Sequence, residues 1–358
     1  MLDIPVQLDL DGLLANLRRE GTPERVYFME LFLDETVQAA IRRRYDLARD
    51  VRDDHPFAGV QRLIALYQFL GYESVYIHRR GLDFPHEQIT GADTVVGDQS
   101  RGERHWVNEN RGAIGSWEDF ERYPWPDPAK MDISHFEWLE TNLPDQMCVQ
   151  VHTHGVYEHV SWLLGYGPLC YLLYDQPDLV DAMFERVGSI LVGAARVLAQ
   201  FDRVRIALGG DDMGHKTACL IDPRILIEKC LPWHKQLCEV YRQAGCINIL
   251  HSCGNTRALM PALLDDVGYD GFHSFEDTIE LVTDAKREYG HRAALIGGID
   301  VDFLCRADEA AIRRRVRETL AVCQPGGGYC LGTGNSVANY IPLDHYLIML
   351  DEGRRWGM

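Results

Sequence analysis

The chain has 358 residues, 46% of them hydrophobic, enough for a large core in one big α/β unit or in two smaller domains. Its 36 basic and 54 acidic residues leave a net charge of −18, a surface that repels nucleic-acid backbones and anionic lipid, so neither is expected as a partner. Ten cysteines at irregular spacing form no disulfide framework, the segment from Met1 to Leu14 lacks a basic leader, and the longest apolar stretch, Ile190 to Phe201, is interrupted by Arg196; a soluble protein of a reducing cytoplasm is expected.

Short apolar, β-branched or aromatic runs recur along the chain and predict eight strands: Arg25–Phe32, Ser74–Arg79, Met147–Thr153, Val204–Gly210, Ile247–Cys253, Gly271–Phe275, Ala293–Gly298 and Gly328–Gly334. Helical patterns fall between most of them. Pro177-Asp178 opens a helix reaching about Phe201, with Leu179, Met183, Val187, Ile190 and Leu191 on one face. Asp222-Pro223, a cap followed by proline at the first helical position, opens another that runs to about Gln243. Asp308 precedes a basic helix over Glu309–Cys323, which ends at Pro325 and three glycines.

Eight strands alternating with helices point to a single (β/α)8 TIM barrel spanning residues 1–358. The proline-rich region at about 81–143, with a hairpin around Arg104–Asn108, is expected to be an excursion between the second and third strands, serving as a lid or a homodimer surface.

In such a barrel the chemistry collects at the carboxyl ends of the strands. Those ends read His152-Thr153-His154, with Glu158 just beyond; Gly210-Asp211-Asp212; His251-Ser252-Cys253; His273 to Asp277; Gly298-Ile299-Asp300; and Thr333-Gly334-Asn335. His251 and Cys253 stand two apart at the end of a strand, so imidazole and thiolate project from one face, which is where an open zinc site would begin. His152 and His154 share that spacing. A metal pair of the hydrolase type would need further ligands on later strands, so a polar pocket wall is the favoured reading. Gly332-Thr333-Gly334 lacks the rest of a dinucleotide fingerprint, and neither a P-loop nor a nucleophile-elbow serine is present.

Gly210-Asp211-Asp212-Met213-Gly214, the helix from Asp222, His251-Ser252-Cys253-Gly254-Asn255, Gly297-Gly298-Ile299-Asp300 and Gly326-Gly327-Gly328-Tyr329 together resemble the uroporphyrinogen decarboxylase superfamily, in order and at similar spacing from about Asp175 onward. The resemblance implies a (β/α)8 barrel and one of two activities: decarboxylation of uroporphyrinogen, or zinc-dependent methyl transfer involving corrinoid proteins. The decarboxylase branch carries an arginine-rich N-terminal motif, whereas the corresponding stretch here, Arg25-Val26-Tyr27-Phe28-Met29-Glu30-Leu31, has no such cluster. The methyltransferase branch carries His-x-Cys and a later cysteine as zinc ligands. His251 and Cys253 match the first two, Asn335 occupies the region of the third, and Glu276 or Cys330 stands as the alternative third ligand.

The resemblance therefore implies a zinc-dependent methyltransferase moving a methyl group between a small methylated substrate or thiol and a corrinoid (cobalamin) held by a partner protein. Glu158 or Asp211 is expected to act as general acid, His152, His154 and Asn335 to orient substrate, and Asp212 to cap the following loop. A carboxy-lyase acting on a carboxylated substrate, or a non-catalytic tetrapyrrole- or corrinoid-binding relative, are the alternatives.

Overall fold

A computed structural model describes residues 2–92 and 103–357. Nine strands form among the described residues: β1 (Ser74–His78), β2 (Gln88–Ala92), β3 (Glu103–Val107), β4 (Cys148–His154), β5 (Val204–Gly210), β6 (Ile247–His251), β7 (Gly271–His273), β8 (Ala294–Ile296) and β9 (Tyr329–Cys330). Seven make one parallel sheet in the order β1-β4-β5-β6-β7-β8-β9, with helices between most successive strands. β2 and β3 pair antiparallel as the hairpin expected within the connection from β1 to β4; residues 93–102 between them lie outside the described residues.

The strand expected at Arg25–Phe32 is the exception. Phe28 and Leu33 make single parallel bridges to Leu331 and Val337, and the pairing slips by one residue between the two. The slip has a local cause: the Thr333 N–H is taken by the Glu30 carboxyl, at 3.0 Å, instead of by a backbone carbonyl. A seven-stranded ladder flanked by a bridged segment therefore replaces the eight continuous strands expected. Toward β1 this segment meets the sheet through side chains, with Arg25 paired to Glu73 and the rings of Phe32 and Tyr76 5.9 Å apart.

Several strands end earlier than their apolar runs. The chain turns through left-handed backbone at Gly254 (φ 80°), Ser274 (φ 89°), Gly297 (φ 81°) and Gly298 (φ 97°), which no ladder accommodates. The helix from Pro177 closes at Leu198, with all five expected apolar residues buried. The helix capped by Asp222 is interrupted by a π-helical turn at Leu226–Cys230 before it continues over Leu231–Gln243. Pro232 accounts for the interruption, because it has no N–H for the carbonyl of Glu228. Asp308 caps Glu309–Cys323 by accepting from Ala311 N at 2.8 Å. No described helix is long and apolar enough to cross a membrane.

Strand alternation divides the core in two. Cys148, Ile206, Leu208, Ile247, Ile249, Ala294, Ile296 and Cys330 form an inner cluster with Leu13, Leu14 and Leu17 of the N-terminal helix. Val149, Val151, Val204, Ala207, Leu250 and Leu295 belong to the outer cluster against the helices. With a period of two, the inner face continues upward into Gln150, His152 and His154 on β4, Gly210 and Asp212 from β5, and His251 and Cys253 from β6. Asp211 falls on the outer face.

Glu30 ties the N-terminal segment to the turn after β9. Burial pushes its carboxyl up to about 8, against Thr333 hydrogen bonds that pull it down. The Thr333 hydroxyl lies 2.6 Å from Glu30 Oε2 and 2.5 Å from the Asn335 carbonyl, two acceptors that its single proton must serve. Because the folded value lies above the unfolded one, the folded state holds a proton that the unfolded chain loses above its ordinary 4.5. Stability contributed here is therefore full below about 4.5 and falls as pH rises to about 8. Glu30→Gln is expected to flatten the pH dependence of the melting temperature across that window; an unchanged slope in thermal melts would show that Glu30 does not hold its proton.

Candidate functional site

At the carboxyl end of the sheet, three ligand-type atoms converge from adjacent strands. Asp212, His251 and Cys253 place one oxygen, one nitrogen and one sulfur all within 4.8 Å of one another. His251 Nε2 lies 3.4 Å from Cys253 Sγ and 3.6 Å from Asp212 Oδ1. Ligands around a tetrahedral zinc, with bonds of about 2.0–2.3 Å, stand roughly 3.3–3.8 Å apart, so the set fits such an ion. Parallel pairing of β5 and β6 brings the residues together: Gly210 sits opposite His251, and each strand then runs on two residues along its inner face. Asp212 Oδ1 also accepts from Cys253 N at 2.7 Å, which locks the two strand ends to each other.

The surroundings orient these atoms. His251 Nδ1 and His273 Nδ1 are 2.7 Å apart, a contact that needs one proton between them. With that proton on His251, its Nε2 offers a lone pair toward Asp212 and Cys253. Burial lowers His251 to about 4, so the imidazole stays neutral. The Asn335 amide donates to Cys253 Sγ at 3.3 Å. Burial, then the nearby Asp212, pushes the Cys253 thiol up, so it gives up its proton only to a strong electrostatic partner such as a bound cation.

Of the expected third ligands, neither Glu276 nor Cys330 joins this group among the described residues. Cys330 packs in the inner core, three strands along the sheet from His251, and takes the Asn16 amide on its sulfur at 3.6 Å. Glu276 lines a separate cavity with Asn335, Asp300 and Tyr340. Asp212, expected to be a loop cap, supplies the third atom; the alternation of Ile206, Leu208 and Gly210 along β5 is the signal that would have found it.

The two candidate acids part in the same way. Asp211 is buried and turned into the helical layer. Its carboxylate accepts from Tyr157 N at 3.1 Å and Glu158 N at 2.7 Å, and contacts His234 Nε2 at 2.7 Å. It thus caps the helix Val156–Leu164 from outside, and Gly155 has no side chain because a Cβ there would lie 2.0 Å from the Asp211 carboxyl carbon. Asp211 is buried, both of its oxygens are hydrogen-bonded, and it is not among the residues that line the cavity beside Cys253. Glu158, on the first turn of that helix, reaches the mouth. A cavity of about 680 Å³ is lined by Glu158, Asp212 and Cys253 together with Tyr157, Trp162 and Tyr166. Burial first, then Asp212 and Asp211, holds the Glu158 carboxyl well above the usual carboxylate range.

His152 and His154, expected as a polar pocket wall, are not among the residues that line this cavity, though His154 stands 3.6 Å from Glu158. His152 Nδ1 meets the Tyr76 hydroxyl at 3.1 Å, and the His152 and His154 rings stand 5.3 Å apart with His78 close to both. Burial lowers His154 to about 3, helped by Arg79 and His78, so the imidazole 3.6 Å from Glu158 is neutral and forms no ion pair. Tyr76 and His78 were not singled out by the sequence, since on a strand a lone polar residue reads as ordinary core; His273 was placed at a strand end but given no role. Asp300 is structural, accepting from Phe303 N at 2.8 Å and Asp277 N at 2.9 Å.

No curated protein sequence matches the chain. Among solved structures, a methyltransferase from Methanosarcina mazei superposes with a TM-score of 0.69 at 14% identity, covering 98% of this chain and 100% of that one. A B12-independent methionine synthase from Shewanella sp. W3-18-1 superposes with a TM-score of 0.49 at 12% identity, covering 99% and 97%. The family model described as uroporphyrinogen decarboxylase (URO-D) matches residues 111–356, more than half of the sequence. The chain belongs to the uroporphyrinogen decarboxylase family.

Proposed function

We propose that this protein is a zinc-dependent methyltransferase that removes a methyl group from a small methylated substrate and passes it to a corrinoid held by a partner protein. The observation that carries the reading is the shared cavity, lined by the Glu158 carboxyl and by Asp212 and Cys253, the two residues that converge with His251. The M. mazei methyltransferase, alike in fold, supports it. Asp212, His251 and Cys253 would hold the ion. When bound there, zinc supplies Lewis-acid polarisation of a substrate heteroatom at its open coordination position.

The chain's own groups do the rest. Tyr157, Trp162 and Tyr166 give the substrate an apolar, aromatic seat. Glu158 holds a proton at the cavity wall and releases it to the heteroatom that loses its methyl group, so the product leaves neutral rather than as a costly anion. Neutral His152 and His154 orient polar parts of the substrate without adding charge. Asn335 donates to Cys253 and so limits electron density on the sulfur, which keeps the site acidic enough for demethylation.

The test is spectroscopic. Zinc-loaded protein is mixed with free cob(I)alamin and, in separate reactions, an aryl methyl ether, a methylamine, methanol and a methyl thioether. Conversion to methylcobalamin with at least one donor is expected, and it should need zinc. No methyl transfer with any donor, and none from methylcobalamin to a thiol, would overturn the reading, and release of CO2 from uroporphyrinogen would replace it with a carboxy-lyase.

A further inference from the structure

Asp211 and Asp212 are neighbours in sequence, and strand alternation points them to opposite sides of β5. Each meets one histidine and one cysteine. Behind the sheet, Asp211 Oδ2 lies 2.7 Å from His234 Nε2 and 3.5 Å from Cys230 Sγ, and the sulfur lies 3.3 Å from the same His234 nitrogen. All three side chains are buried, and the three donor atoms fall within 4.8 Å of one another. We propose that Asp211, Cys230 and His234 form a second, structural site for a zinc-type divalent ion, distinct from the group at the mouth.

Local structure builds the site. Cys230 and His234 are four residues apart across the junction of the π-helical turn and the helix Leu231–Gln243, so both side chains lie on one face. That spacing is one at which zinc ligands recur on helices. Tyr269, just before β7, contacts His234 Nδ1 through its hydroxyl at 2.9 Å, which fixes the ring with Nε2 toward Asp211 and Cys230. The sulfur–nitrogen and sulfur–oxygen separations already match those around a tetrahedral zinc. The 2.7 Å contact between His234 and Asp211 would open by roughly 0.7 Å as an ion replaced the proton between them. Thiolate and imidazole donors select zinc and similar ions over calcium or magnesium. An ion here would clamp β5 to the helical layer and, through Asp211, to the helix that carries Glu158.

The proposal does not depend on the function of the mouth, and one experiment separates the two. Protein purified without chelator is dialysed against metal-free buffer, and zinc per chain is measured by elemental analysis for wild type, Cys230→Ser, His234→Gln and Cys253→Ala, with circular dichroism as the control for folding. Two equivalents are expected in wild type and one in each variant. One equivalent in wild type, lost in Cys253→Ala and kept in Cys230→Ser and His234→Gln, would overturn the second site while leaving the mouth site standing; the buried trio would then be a hydrogen-bond network only. One equivalent lost in Cys230→Ser and kept in Cys253→Ala would support the second site and remove the metal from the mouth. If Cys230→Ser and His234→Gln do not fold, cobalt-reconstituted Cys253→Ala decides. A thiolate-to-cobalt absorption band that persists there supports the site, and its absence overturns it.

Discussion

Asp212→Ala is expected to lose one equivalent of zinc and to fall to background in methyl transfer, whereas Glu276→Gln and Cys330→Ser should keep wild-type zinc. Asp212 continues the inner face of β5 beside His251 and Cys253, and removing its carboxylate leaves two protein donors, too few for the three-ligand open site typical of catalytic zinc. The loss should exceed the roughly 10–100-fold in affinity that removal of an outer-shell partner costs, the class to which His273 belongs. Cys330 is held in the inner core by Asn16 and Glu276 opens onto a different cavity, so neither substitution should reach the ion. Zinc content by elemental analysis on the three variants is the check. Zinc retained in Asp212→Ala and lost in Glu276→Gln would move the carboxylate ligand to the end of β7 and sink the assignment.

That variant set also marks where the sequence was readable. The pairing of His251 with Cys253 was legible because both residues belong to one strand, and a period of two fixes their common face without knowledge of any partner strand. The approach of Asp212 to these two required a relation between strands. Gly210 lies opposite His251 only because of the parallel register between β5 and β6, and register is set by packing of the whole sheet. Asp211 was expected at the pocket and Asp212 as a loop cap, whereas Asp211 caps a helix and Asp212 stands beside His251 and Cys253, and Ile206 and Leu208 on β5 carry the parity that separates them. The segment Arg25–Phe32 shows a different limit. It has the composition of a strand, but Glu30 reaches across to Thr333 N–H and the ladder slips. A buried carboxyl in an apolar run was the visible warning. The π-helical turn at Leu226–Cys230 was foreshadowed by Pro232; its consequence, a cysteine and a histidine aimed at Asp211, depends on contacts between layers.

Glu158→Gln is expected to lower kcat by about 10²–10⁴-fold, the usual contribution of a positioned general acid, with zinc content unchanged. The size of the loss should depend on the leaving group. A phenol or amine that departs poorly without a proton needs Glu158, so methyl ethers of unactivated phenols should show the full effect. A nitro-substituted aryl methyl ether, whose phenolate is stable, should lose little. Glutamine keeps the shape of the side chain and its place on the first turn of Val156–Leu164, where the Asp211 cap on Tyr157 and Glu158 N–H remains, so the comparison isolates proton transfer from packing. The measurement is single-turnover methyl transfer to cob(I)alamin across a series of substituted aryl methyl ethers, in wild type and variant. A steeper dependence of log rate on phenol acidity in the variant would establish Glu158 as the proton donor. Parallel slopes, with the variant uniformly slower, would reduce Glu158 to shaping the cavity. The acid would then have to be sought among the other groups that line it, of which Glu109 is the remaining unassigned carboxylate.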